Sequence, residues 1–208
     1  MNTNQGLKEE IRQKYNKFAP WYDLRAAIPE FLGVRRLRRS LLQRASGTVL
    51  EIAVGTGKNL RYYCKTCKLT SVDLNSAMLA IARKRADRLR LSITFLVMDA
   101  EALAFPDQSF DTVVSSLALC TLPDPLAALR EMARVCRADG RILLLEHGRS
   151  DQEWLGRWQD RSADRRAKKL GCHWNREPLD LVRQAGLKPI AAQRTFFGMF
   201  HVLEAAPS

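Results

Sequence analysis

Along this chain, short runs of nearly unbroken apolar residues take turns with longer stretches in which apolar positions recur every three or four residues. The runs cover residues 48–53, 69–73, 93–98, 111–115 and 141–145. Apolar at successive rather than alternate positions, they are expected to be strands buried on both faces of a parallel sheet. Between them, Asn75 or Ser76 can cap a helix with the stripe Met78, Ile81, Ala82 and Leu89. Asp124 and Pro125 form an N-cap and first-turn pair, after which Leu126, Leu129, Met132, Ala133 and Cys136 share a helical face that Asp139 and Gly140 should end. A helix is also expected from about Lys58. Strand and helix in alternation give βαβ units and an α/β class.

Beyond the fifth run the pattern breaks. Residues 151–174 are polar, basic and carry Trp154, Trp158 and Trp174. Regularity returns with a short helix opened by Pro178 and closed by Gly186, then runs at 187–192 and 199–205 that read as an antiparallel hairpin turning at 195–198.

Composition narrows the class. A chain of 208 residues, 46% hydrophobic, can bury one α/β core and is short for two. No stretch reaches the roughly 20 apolar residues of a membrane span, and the polar start does not resemble a signal peptide. Five scattered cysteines fit reduced thiols. The expectation is a soluble, cytoplasmic protein. Its charge of +12 favours anionic partners. The basic clusters at 35–39, 83–85 and 157–169 are interleaved with apolar residues, as in solvated helix faces, and no nucleic-acid-binding motif accompanies them. Cys64 and Cys67 lack the second pair that a structural zinc needs, so no metal is expected.

Chemistry gathers at the ends of the expected strands. Glu51-Ile-Ala-Val-Gly55-Thr-Gly57 is a strand-to-helix loop in which glycine lets a ligand meet backbone N–H groups. Asp73, ending the next strand about 20 residues downstream, is placed as a ribose-hydroxyl acceptor. Together they point to an adenosine-bearing cofactor. No third glycine follows Gly57, and Glu51 sets a carboxylate where a diphosphate would be repelled and a cationic amino-acid group welcomed. That charge logic favours S-adenosylmethionine (SAM) over NAD. Asp99 can accept from an adenine amino group while the Ala100 N–H approaches a ring nitrogen. Asp111 reads as a strand-edge residue.

Taken in order, Leu50-Glu-Ile-Ala-Val-Gly-Thr-Gly57, Val72-Asp73, Asp99-Ala100, Phe105-Pro-Asp-Gln-Ser-Phe-Asp111 and Val135-Cys-Arg-Ala-Asp-Gly140 resemble the class I SAM-dependent methyltransferases of the UbiE type, over residues 12–205. The resemblance implies a single Rossmann-like domain over 1–208, with a seven-stranded, mostly parallel sheet, helices on both faces and an antiparallel last strand. It implies SAM over the strand ends, with Glu51, Ala53, Gly55 and Gly57 near its methionine part, Asp73 and Leu74 at the ribose, Asp99 and Ala100 at adenine, and Leu117 bordering it. Ala53 stands where the family has a glycine, and fits if its φ is negative. Tyr15, Tyr22 and the segment around them match the family's aromatic cover, within a helical cover at about 8–45. An acceptor-side insertion is expected at about 151–175.

For the acceptor, His147 follows the fifth strand and is the candidate base. Residues 171–176 and 196–201 resemble a thiol methyltransferase subgroup of the same family. The expected acceptor is a small, hydrophobic thiol, phenol or quinol. The alternatives are a quinone ring or phospholipid head group methylated at an anionic membrane surface, and, from another class, a non-catalytic SAM-binding or nucleic-acid-binding protein. No obligate protein partner is evident from the residues.

Overall fold

Because strand side chains point alternately to opposite faces, a run buried at every position needs a layer on each side, and both layers are present in the computed structural model, which describes residues 3–25 and 27–207. Strands β1 (Thr48–Ile52), β2 (Lys68–Asp73), β3 (Thr94–Val97), β4 (Phe110–Ser116), β5 (Cys136–His147), β6 (Lys188–Thr195) and β7 (Phe200–Ala206) form one sheet in the order β3-β2-β1-β4-β5-β7-β6. Pairs from β3 through β5 are parallel, and β7 runs antiparallel to both β5 and β6. Leu50, Ile52, Val113, Ile142 and Leu144 pack with α5 (Pro125–Val135) and α7 (Pro178–Gln184) on one face. Val49, Val114, Leu143 and Leu145 pack with α3 (Arg35–Leu42) and α4 (Ser76–Leu89) on the other.

Chain entry is helical: α1 (Thr3–Arg25), a short α2 (Ala27–Pro29) and a π-helical turn at Glu30–Val34 lead into α3. The polar segment after β5 forms α6 (Glu153–Leu170), stopped by Gly171 in a left-handed conformation. No helix among the described residues is long and apolar enough to cross a membrane.

Three local expectations are corrected. The helix foreseen after the glycine loop is replaced by turns and a single 3-10 turn, Leu60–Tyr62, because β2 begins only a few residues later at Lys68. Helix α5 stops at Val135 rather than at Asp139 and Gly140: the Gln108 and Ser109 amides take the carbonyls of Arg134 and Val135, and Cys136 pairs with Phe110 to open β5. Asn75 does cap α4, accepting from the Met78 amide at 3.0 Å, but the buried stripe is Met78, Leu79, Ala82 and Ala86.

Candidate functional site

At the C-terminal ends of β1, β2 and β4 lies an open cleft. Tyr15, Tyr22, Glu51, Ala53, Gly55, Asp73, Leu74, Asp99, Ala100 and Leu117 all line it. They converge because parallel strands end together, which is where an open α/β sheet presents its ligand site. Gly57 does not line it. With φ +77, it lets the loop pack against α4, and a Cβ there would fall 2.7 Å from the Leu60 side chain. Gly55 has open space where its Cβ would stand, leaving backbone accessible to a ligand.

Ala53 has φ +47, not the negative value expected. Its neighbours fix this: Val54 donates to the Val72 carbonyl at 3.0 Å and Gly57 to Val54 at 3.0 Å, so the chain must turn sharply at Ala53 to leave β1. Asp73 shapes the same loop, accepting from the Gly55 amide (2.8 Å) and the Asn75 amide (2.8 Å). Burial nonetheless pushes its carboxyl up.

Glu51 is fully buried, and burial pushes its carboxyl up to about 7. Asn59 donates to Oε1 at 2.7 Å, and the buried Tyr63 hydroxyl neighbours the carboxylate. A buried carboxylate in the cleft wall suits a cationic group, and the open backbone at Gly55 suits close approach. These residues therefore fit SAM, whose amino-acid end is cationic. Asn59 also accepts from Arg38 Nη1 at 2.8 Å, and Arg38 Nε donates to Glu30 at 2.8 Å. Thus Arg38, expected on a solvated helix face, is buried within the site wall.

Helix α1 lies across the cleft. Lys8 reaches Asp99 (2.6 Å) and Glu101 (2.7 Å), and Asn75 Nδ2 holds the Arg12 carbonyl at 3.0 Å. Asp23 accepts from Thr56 of the glycine loop at 2.7 Å and pairs with Arg85. Trp21, in the aromatic segment, is exposed and outside the cleft.

On the β4 side, Leu117 adopts φ +58. Its amide donates to Leu145 at 2.7 Å, and the next two amides, Ala118 and Leu119, donate to the buried Glu146 carboxylate. Burial pushes Glu146 up to about 7, against the Ser115 hydroxyl and those amides. A second cleft adjoins the first, lined by Pro29, Val34, His147, Trp174, Met199 and Phe200, and sharing Tyr22, Arg38 and Leu117 with it. His147 is therefore not in the first cleft. Its Nε2 lies 3.5 Å from Cys172 Sγ. Asp111 stays structural, accepting from the Thr48 amide (2.7 Å) and hydroxyl (2.8 Å) at the start of β1.

Sequence reasoning missed Lys8, Arg38, Asn59 and Glu146. Of these, Glu146 alone left a signal, an acid inside an apolar strand.

A methyltransferase-domain family model matches residues 50–144. The chain is 34% identical over 161 residues to the ubiquinone/menaquinone biosynthesis C-methyltransferase UbiE of Pseudoalteromonas translucida, covering 72% of this chain and 64% of that one. It is 37% identical over 120 residues to a phosphatidylethanolamine N-methyltransferase of Cereibacter sphaeroides, covering 57% and 59%. Thus the chain spans about three fifths of the length of these curated relatives. A SAM-dependent methyltransferase of Thermotoga maritima superposes with a TM-score of 0.70 at 23% identity, over 95% of this chain and 100% of that one. Such a sheet, with an acid at the end of β1, a glycine loop after it and an aspartate ending β2, defines a Rossmann-like fold with a nucleotide-cofactor site. Residues 50–144 are a methyltransferase domain, the chain is similar to class I SAM-dependent methyltransferases of the UbiE type, and the cofactor of such a domain is S-adenosyl-L-methionine.

Proposed function

We propose that the protein moves the SAM methyl group to a small apolar acceptor bearing a thiol, phenol or quinol, bound in the second cleft. The observation that carries this reading is the wall common to the two clefts: Tyr22, Arg38 and Leu117 border both. SAM supplies an electrophilic methyl, so the chain's own work is alignment and removal of the acceptor's proton. Glu51 holds the cationic end, Asp73 the ribose, and Asp99 with the Ala100 amide the adenine. Tyr15 and Tyr22, stacked at a tilt with ring centroids 6.3 Å apart, exclude water from above. The acceptor's proton leaves at the His147 corner. Helix α6 closes this side, and with the helical cover over 8–45 it completes one domain over 1–208. Incubating the full chain with methyl-labelled SAM and a panel of apolar thiols, phenols, quinols and amines tests the reading by mass spectrometry. Labelled thiol, phenol or quinol products support it; labelled amines alone, or no product, contradict it.

A second reading, methylation of a quinone ring or phospholipid head group, is favoured by one surface. Phe31, Leu32, Trp154 and Phe197 are exposed, and their segments meet: Phe196 packs at Gly33, and Gly198 packs at Asp151. With a net charge of +12, such a face suits an anionic bilayer. Co-sedimentation with anionic but not zwitterionic vesicles would support it.

A further inference from the structure

Three side chains that carry no shared motif meet beside the second cleft. Cys120 comes from the β4–α5 loop, His147 from the end of β5, and Cys172 from the loop after α6. Their sulfur and nitrogen donors all lie within 4.8 Å of one another, with both cysteines buried and His147 half-buried. We propose that they form a binding site for zinc or a similar soft divalent cation, with one coordination position open toward the acceptor.

The donor set is the first support. Thiolate and imidazole are the ligands zinc prefers, and tetrahedral zinc, with Zn–S of about 2.3 Å and Zn–N of about 2.0 Å, spaces its donors roughly 3.5–3.8 Å apart. Cys172 Sγ and His147 Nε2 are already 3.5 Å apart. Two thiolates also neutralise a dication, which removes the main penalty for burying it.

The second support is that the loops are held before any ligand arrives. His173 N donates to the Cys120 carbonyl at 2.8 Å, so the two cysteine loops are tied by backbone one residue from a ligand. Arg176 donates to the Leu119 and Leu122 carbonyls, fixing the same loop from its other side.

Three protein donors leave a tetrahedral ion one position short, the pattern of catalytic rather than structural zinc. His147 lines the second cleft, so an ion held there would border the site where the acceptor is placed. The inference rests on that placement for its consequence. A thiol taking the open position would release its proton to solvent. Its sulfur would then take the methyl from the sulfonium, leaving S-adenosylhomocysteine. His147 would act there as a ligand, which replaces proton transfer to its own ring nitrogen.

The sequence-based expectation of no metal looked only at Cys64 and Cys67, the one cysteine pair with a zinc-like spacing. Donors at 120, 147 and 172 give no spacing signal because the fold alone assembles them.

Cobalt(II) tests the site without reference to activity. The reduced, metal-free full chain is titrated with Co²⁺ and followed by absorption spectroscopy, alongside Cys120→Ser, Cys172→Ser and a Cys64→Ser/Cys67→Ser double variant. S-adenosylhomocysteine binding to each variant reports that it is folded. The proposal expects one equivalent of tetrahedral cobalt with thiolate charge-transfer bands, displaced by Zn²⁺. Binding should weaken at least tenfold in Cys120→Ser and in Cys172→Ser and be kept in the double variant. No tetrahedral spectrum, or one lost only with Cys64 and Cys67, overturns it. Failure here leaves methyl transfer untouched, whereas a metal-binding chain that methylates nothing in the acceptor panel would count against the proposed function instead.

Discussion

Ala53 and Glu51 show what single positions cost around a cofactor. An L-residue in the left-handed region gives up about 1–2 kcal/mol, while glycine adds roughly 0.4–1 kcal/mol of unfolded-chain entropy. With φ +47 at residue 53, Ala53→Gly should therefore raise stability by about 0.5–1 kcal/mol. Urea denaturation reads this, and a lower midpoint would show that the loop relaxes around alanine. Glu51 makes a pH prediction. Its folded carboxyl titrates near 7 because it is buried, above the ordinary value of 4.5. The stability it lends the empty protein is fully present below pH 4.5 and is lost as pH rises through 7. A cationic cofactor group offsets that loss, so S-adenosylhomocysteine should bind more tightly above pH 7 than at pH 6, with proton release on binding below 7. Calorimetry in buffers of different ionisation heat measures the release. Glu51→Gln should abolish it, and an unchanged proton count in that variant would remove Glu51 from the cofactor's contacts. Glu51, Asp73 and Asp99 were legible from sequence because each sits at a strand end that the apolar runs locate. The sign of φ at Ala53 was not, since it depends on backbone hydrogen bonds to β2 that no local pattern encodes.

At the scale of elements, α6 is anchored by one buried amide. Gln159 accepts from the Ser150 amide at 2.7 Å and donates to the carbonyls of Gly148 (3.0 Å) and Trp174 (3.2 Å). Removing it strands a buried donor and weakens the hold on two carbonyls, each unsatisfied group costing about 1–3 kcal/mol. Gln159→Ala should speed amide hydrogen exchange throughout α6 and leave β1 and β4 protected; equal acceleration in the sheet would mean that α6 does not open separately. Whether α6 works as a cover is read from the same measurement on the unmodified chain, which should gain protection in α6 when S-adenosylhomocysteine and acceptor are both added. The helical spacing inside residues 151–174 was readable only in part, because its buried face is narrow and made of small residues and one amide: Gly156, Gln159 and Ala163 rather than leucines. The end of α5 was misplaced for a related reason. Asp139 and Gly140 are good stop signals, but the carbonyls of Arg134 and Val135 are satisfied from a turn some 26 residues earlier in sequence, and tertiary pairing overrides the local signal.

For the whole molecule, the βαβ alternation pointed to a parallel α/β sheet, whose possible arrangements are few, while the seven strands, the antiparallel last strand and the cofactor position came from the family resemblance. What stayed hidden lies in contacts between distant segments: Lys8 on Asp99, Arg38 on Asn59, and Cys120, His147 and Cys172 around one point. The N-terminal helices complete the cleft, and their loop ties make them part of it. Asp23 to Thr56 and Arg85 is the clearest such tie, and Asp23→Ala should loosen α1 and weaken cofactor binding by about threefold to tenfold, the loss of one charge-assisted hydrogen bond at a half-exposed pair. An unchanged affinity in a folded variant would show that α1 is held by other contacts. The account as a whole stands on the cleft over the strand ends being the SAM site. Calorimetric titration of the full chain and of Asp73→Ala with S-adenosylhomocysteine, and of the full chain with NAD, tests that directly. Losing the ribose acceptor should cost about 1.5–3 kcal/mol, roughly tenfold to 150-fold in affinity, in a variant that still unfolds cooperatively. The account predicts tight binding of S-adenosylhomocysteine, that loss in Asp73→Ala, and no comparable binding of NAD. NAD binding as tightly as S-adenosylhomocysteine, or unchanged affinity in a folded Asp73→Ala, would contradict it.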